Sequence, residues 1–129
     1  RLGFALAPDN IARHLSEQLG PWAVGGPALA IGTEALADKE WQDGQRKGLS
    51  QASLRLDELL AGTGFHQRSG TDLFRLVETE RAGSLFEHLL EHRIYVRRFD
   101  EHPHWLRFGL PEPEGDWQLR EKALMEYGT

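Results

Sequence analysis

The chain has 129 residues, 40% of them hydrophobic and 27% charged. That is enough for one ordinary core, and no apolar run approaches the ~20 residues that span a bilayer. A formal net charge of −5 argues against general nucleic-acid binding, and the absence of cysteine excludes disulfides, thiolate metal sites and cysteine nucleophiles. This composition suits a cytoplasmic protein.

Residues 2–7, LGFALA, read as a short buried strand. Asp9 or Asn10 then caps a helix whose apolar face is Ile11, Leu15 and Leu19, and Gly20-Pro21 ends it. The capping residues follow the apolar run at once, which makes RLGFALA a poor signal peptide. Pro27 suits the first turn of a second helix. Asp38 is the expected cap of a long helix reaching Ala61, with Trp41, Leu49, Ala52, Leu56, Leu59 and Leu60 as its stripe.

From residue 64 the texture changes. GFHQRSG and TDLFRLVET read as strands, and Ala82, Leu85, Phe86, Leu89 and Leu90 as one helical face. RIYVRRF and HWLRFGLP are strands again, and Pro111 and Pro113 introduce a last helix with Trp117, Leu124 and Tyr127 inward. A split crossover places strand 105–110 between strands 73–77 and 94–98, with the helices on one face. The expected class is α/β with an α+β small domain, a mixed or antiparallel β-α-β-β-α sheet. Residues 1–37 are a helical remnant, and residues 38–129 form the compact unit. The strand at 2–7 lacks a visible sheet partner, and an unpaired buried strand leaves backbone groups unsatisfied. The expectation is that something is missing on the N-terminal side.

Few residues suggest chemistry. In WLRFGL, alternation sends Leu106, Phe108 and Leu110 to one face and Trp105, Arg107 and Gly109 to the other. A guanidinium inside a mostly apolar strand calls for an anion, and its fork fits a carboxylate. A structural ion pair or a solvated face satisfies the same pattern. Arg97 and Arg98 face opposite ways, so one of them can join Arg107. His88 and His92 have the i, i+4 spacing of zinc ligands, but no HExxH arrangement accompanies them, and no metal is expected. GTGFHQRSGT lacks the spacing and lysine of a phosphate-binding loop and reads as a turn. Trp22 is either core or the lining of a pocket. No self-sufficient catalytic set stands out.

Beyond these readings, the sequence resembles the C-terminal portion of pyridoxal-phosphate enzymes of the aspartate-aminotransferase fold. The branch is the one containing histidinol-phosphate aminotransferase and L-threonine-O-3-phosphate decarboxylase. RLGFALA is similar to the segment just after the cofactor lysine. PWAV with ALADKEW is similar to the passage into the small domain, and HRIYVRRF and WLRFGLP to its last two strands. GPWAV and LRFGLP together lie nearer the decarboxylases. The resemblance implies a large-domain remnant before the small domain, and pyridoxal phosphate as cofactor of the longer protein. It implies a phosphorylated amino acid as substrate, a homodimer, and neither nucleic acid nor membrane as partner. It assigns Arg1 to the cofactor phosphate, Arg107 to the substrate α-carboxylate and Trp22 to the active-site wall, with Arg97 or Arg98 available to the substrate phosphate. The Schiff-base lysine would precede Arg1, so the fragment alone is expected to be inactive. Relatives often carry Asn where Gly25 stands, so a hydrogen bond offered there is absent. Two alternatives stay open: a histidinol-phosphate-type aminotransferase, and a stand-alone binding module.

Overall fold

A computed structural model describes residues 2–128. It contains helices α1 (Asp9–Leu19), α2 (Gly26–Ala37), α3 (Lys39–Gly62), α4 (Ala82–Glu91) and α5 (Glu114–Gly128). The strands are β1 (Gln67–Thr71), β2 (Phe74–Glu78), β3 (Arg97–Arg98) and β4 (Trp105–Gly109). The chain divides into two units, one ending at Asp43 and the other beginning at Gly44.

In the first unit the expected strand at 2–7 does not form. A strand needs a neighbour to take its backbone bonds, and no segment among the described residues supplies one. Phe4 and Leu6 are exposed, while Leu2 lies against Gly32 of α2. The cap of α1 also differs from expectation. Asp9 is the first helical residue rather than the cap, and the Pro8 carbonyl accepts the Ile11 and Ala12 amides. Asp9 still sits where the helix dipole favours an anion. Ile11, Leu15 and Leu19 share a face as expected, yet all three are exposed. Gly20, at φ 70°, closes the helix where the sequence predicts. Pro27 lies in the first turn of α2, and Gln42 Nε2 donates to the carbonyls of Ala35 and Leu36 near its end. Asp38 accepts the Trp41 amide at 2.9 Å, which makes it the cap of α3.

The second unit holds the core. Leu56 and Leu60 of α3 join Phe65, Val77, Leu85, Leu89, Leu106, Phe108 and Leu124 in one cluster of buried side chains. The sheet order is β1-β2-β4-β3, with every pairing antiparallel. β4 therefore lies between β2 and β3, the split arrangement expected from the element order. The register opposes Arg75 to Phe108 and Val77 to Leu106 on the covered face, and Leu76 to Arg107 and Glu78 to Trp105 on the other.

Three details depart from the sequence reading. The strand expected at 94–98 shrinks to Arg97–Arg98, because α4 ends in a tight cap that occupies the preceding residues. Arg93 takes φ 61°, and the amides of Arg93 and Ile94 return to the carbonyls of Leu90 and Leu89 at 2.9 and 2.8 Å. This is the left-handed cap usually built on glycine, here carried by arginine. Leu90 points outward instead of joining the face of Leu85 and Leu89. Arg120 is buried on the inner side of α5.

A buried ion pair fixes the hairpin β1–β2 to α3. Arg75, on the covered face, donates from Nε and Nη2 to the two carboxylate oxygens of Asp57, at 2.6 and 2.8 Å. Its Nη1 also reaches the Thr71 carbonyl. Space for this side chain depends on Gly70, where a Cβ would stand 2.8 Å from Arg75 Cδ and 2.6 Å from the Phe74 carbonyl oxygen.

Candidate functional site

Arg107 occupies the middle of β4, one of the two inner strands, on the face that Leu106 and Phe108 turn away from. Antiparallel register brings Arg97 of β3 directly opposite it. Leu76 stands opposite on the other side. The Arg107 guanidinium lies over the Phe74 ring, 5.1 Å from its centroid, and that of Arg97 over Phe99 at 5.2 Å. Leu73, Phe74, Tyr95, Arg97, Arg107 and Gly109 enclose a shallow cavity of about 280 Å³.

Neither guanidinium has a carboxylate or a hydrogen-bond acceptor among the described residues. This disposes of the structural ion-pair reading of Arg107. Like charges placed directly opposite across two strands repel. An anion between them turns that repulsion into attraction, and the fork of each group suits an oxyanion. Arg98 plays no part. It faces the covered side, with Glu87 at 3.5 Å and the Phe86 ring at 4.4 Å.

The other residues singled out in the sequence fall elsewhere. Trp22, in the turn after α1, is 88% exposed, so it is not core. Arg1 lies outside the described residues. His88 Nε2 bonds the Ala123 carbonyl at 2.8 Å, and His92 bridges the His88 carbonyl and Glu126 at 2.9 and 3.0 Å. Among the described residues no group of three or more His, Asp or Glu side chains is arranged to hold a metal ion. His102 is stacked on Trp105 at 3.8 Å, and the Trp105 indole donates to Glu78. That bond and Arg68 hold the Glu78 carboxyl below its usual range. None of the described helices is long and apolar enough to cross a membrane.

The fold and its arginine-bearing strand belong to a known class. Residues 1–121 match the aminotransferase class I and II family, and the chain belongs to that family. Its curated relatives are narrower in kind. It is 40% identical over 127 residues to a threonine-phosphate decarboxylase of Pseudomonas aeruginosa, and 42% over 132 residues to one of a Sinorhizobium species. Each comparison covers 98% of this chain, which spans only 38% of the relative's length. Among solved structures, an aminotransferase-type protein of Burkholderia pseudomallei superimposes with a TM-score of 0.81 at 22% identity, over 95% of this chain and 38% of that one. Histidinol-phosphate aminotransferase of Sinorhizobium meliloti, solved with pyridoxal-5'-phosphate, gives 0.62 at 20% identity, over 73% and 27%. At such identities these two structures establish the fold.

Pyridoxal phosphate is held in enzymes by a lysine, and the fit of this chain can be tested. Its lysines are Lys39, Lys47 and Lys122, and none lines the cavity beside Arg107.

Proposed function

We propose that this chain is the substrate-gripping part of a pyridoxal-phosphate-dependent L-threonine O-3-phosphate decarboxylase. The whole enzyme releases carbon dioxide and (R)-1-amino-2-propanol O-phosphate. The observation that carries this reading is the opposed pair Arg97 and Arg107, unpaired on one sheet face, in a chain whose curated relatives are threonine-phosphate decarboxylases.

Arg107 donates two parallel bonds to the α-carboxylate, and the flat fork fixes the plane of that group. Phe74 beneath it restricts the guanidinium and shields one side from water. Arg97, one strand away, presents a second cation to the substrate phosphate. In the longer protein the cofactor supplies the electron sink. The lysine that holds it belongs to the remainder, and the resemblance assigns Arg1 of this chain to the cofactor phosphate and Trp22 to the active-site wall. That longer protein works as a homodimer, and the fragment alone has no activity.

The test is made on the full-length protein. With L-threonine phosphate it should release carbon dioxide, and with histidinol phosphate it should not transfer the amino group. The reverse pattern would make it an aminotransferase. Arg107→Met should lower kcat/KM by about two to three orders of magnitude, the usual cost of stranding a charge-paired group. Arg97→Met should act chiefly on KM for the phosphorylated substrate. An active full-length enzyme indifferent to both substitutions overturns the assignment of these residues, and a full-length protein with neither activity favours the stand-alone binding module.

A further inference from the structure

Arg120 is a cation in a position built for a hydrocarbon. It follows the buried Trp117 by three residues and precedes the buried Leu124 by four, the spacing of one inward helical face. The neighbouring Leu119 is exposed, while Arg120 is only 9% exposed. A guanidinium carries five N–H donors. One group, Nη1, donates to the Gly109 carbonyl at 2.5 Å, and the buried Nε has no acceptor. Among the described residues, no carboxylate reaches ion-pair distance. Burial lowers the pKa of this group, with the charge of Asp116 opposing that effect only in part. A buried charge left unpaired is strongly unfavourable, so such a group is completed by an anion where one can reach it.

The surroundings allow one to do so. Arg120 lines a cavity of about 410 Å³ together with Arg93, Tyr95, Glu112, Asp116 and the apolar Leu110. Arg93 is held there by the left-handed cap of α4, and its guanidinium has no partner among the described residues. The cavity shares Tyr95 with the one beside Arg107, but neither Arg97 nor Arg107 lines it. Glu112 and Asp116 compete for the two cations, and both would repel an incoming anion. Neither is bonded to Arg93 or Arg120.

We propose that this cavity binds a small oxyanion, a phosphate or carboxylate group, held between Arg120 and Arg93. The proposal is independent of the activity proposed above, because it requires neither Arg107 nor the cofactor.

The experiment follows thermal unfolding of the 129-residue chain at constant ionic strength while inorganic phosphate or acetate is added. A saturable rise in Tm is expected with at least one of them, since a ligand that binds only the folded state stabilises it. Response to phosphate alone identifies a tetrahedral anion, and response to acetate alone a carboxylate. Arg120→Met should abolish the rise. Arg97→Met with Arg107→Met should leave it, which separates this cavity from the neighbouring one. Asp116→Asn should tighten binding several-fold by removing the nearest competing carboxylate. If Arg120→Met fails to fold, the exposed Arg93→Gln serves in its place and should remove most of the rise. In parallel, the Arg120 Nε–H resonance should move on titration. No rise with either anion, a rise that survives Arg120→Met or, in its place, Arg93→Gln, or one lost in the Arg97/Arg107 variant overturns the proposal.

Discussion

At the scale of single residues, the second unit depends on buried charges that are paired to very different degrees. Arg75 is held by both oxygens of Asp57, and that contact raises its pKa against the cost of burial. Asp57→Ala strands the arginine and should cost about 3–5 kcal/mol, read as a lower urea midpoint. Adding Arg75→Met should recover much of that loss, because an apolar pair of similar volume often replaces a buried ion pair without penalty. No sequence signal pointed to this pair. Asp57 and Arg75 lie on different elements, and only the fold of the hairpin over α3 brings them together. Arg107 was legible because alternation alone puts it opposite Leu106 and Phe108. Its pairing with Arg97 was not, since cross-strand register depends on where the short edge strand begins. Arg120 was hidden for a different reason: its inward phase shows only when it is counted from Trp117 along a helix whose start was known just approximately.

Between elements, α4 and α5 are joined near their C-terminal ends by an arrangement that demands a proton. Both ring nitrogens of His92 face acceptors, the His88 carbonyl and the Glu126 carboxylate. Neutral imidazole can donate to only one of them. The His88 carbonyl and Glu126 accordingly raise the pKa of His92, with Glu91 helping and partial burial opposing. The neighbouring groups are the His88 ring at 4.4 Å, Tyr127 beyond it, and Lys122, which shares Glu126. A raised folded pKa stabilises fully below the unfolded value of about 6.5 and is lost as pH rises through the folded value. The urea midpoints of wild type and His92→Gln should differ most in mild acid and converge in mild alkali. A gap that widens with rising pH would contradict the bridge. Element types proved readable wherever the pattern carried its own partners: the stripe of α3 from Ala52 to Leu60, the face of α4 without Leu90, and the alternation of β4, whereas Trp41, counted in the α3 stripe, is exposed. Reading failed at residues 2–7, whose apolar run matches a strand in a chain that gives it no neighbour.

For the molecule as a whole, the two units differ in what they bury. The second has a continuous core, whereas none of the described residues of the first is buried, and Phe4, Leu6, Leu19, Trp22 and Ile31 are all exposed. Limited proteolysis should therefore cut first ahead of Gly44 and leave a resistant piece from α3 to α5, identified by mass. Such exposed apolar surface should also drive concentration-dependent association, visible in light scattering as growth of the mean mass across a dilution series. The strand order has one more consequence, in time rather than in space. β1 and β2 are joined by a tight turn and can pair as soon as both exist. The strand that completes the sheet's middle is the last to be synthesised, after α4 and the Arg97–Arg98 edge. Until Gly109 emerges, one side of β2 has no partner, and closing it requires the loop that contains all of α4. Arg107, the residue proposed to grip substrate, thus rides on the strand whose arrival finishes the sheet, so a growing chain presents that group in place only once its sheet is complete.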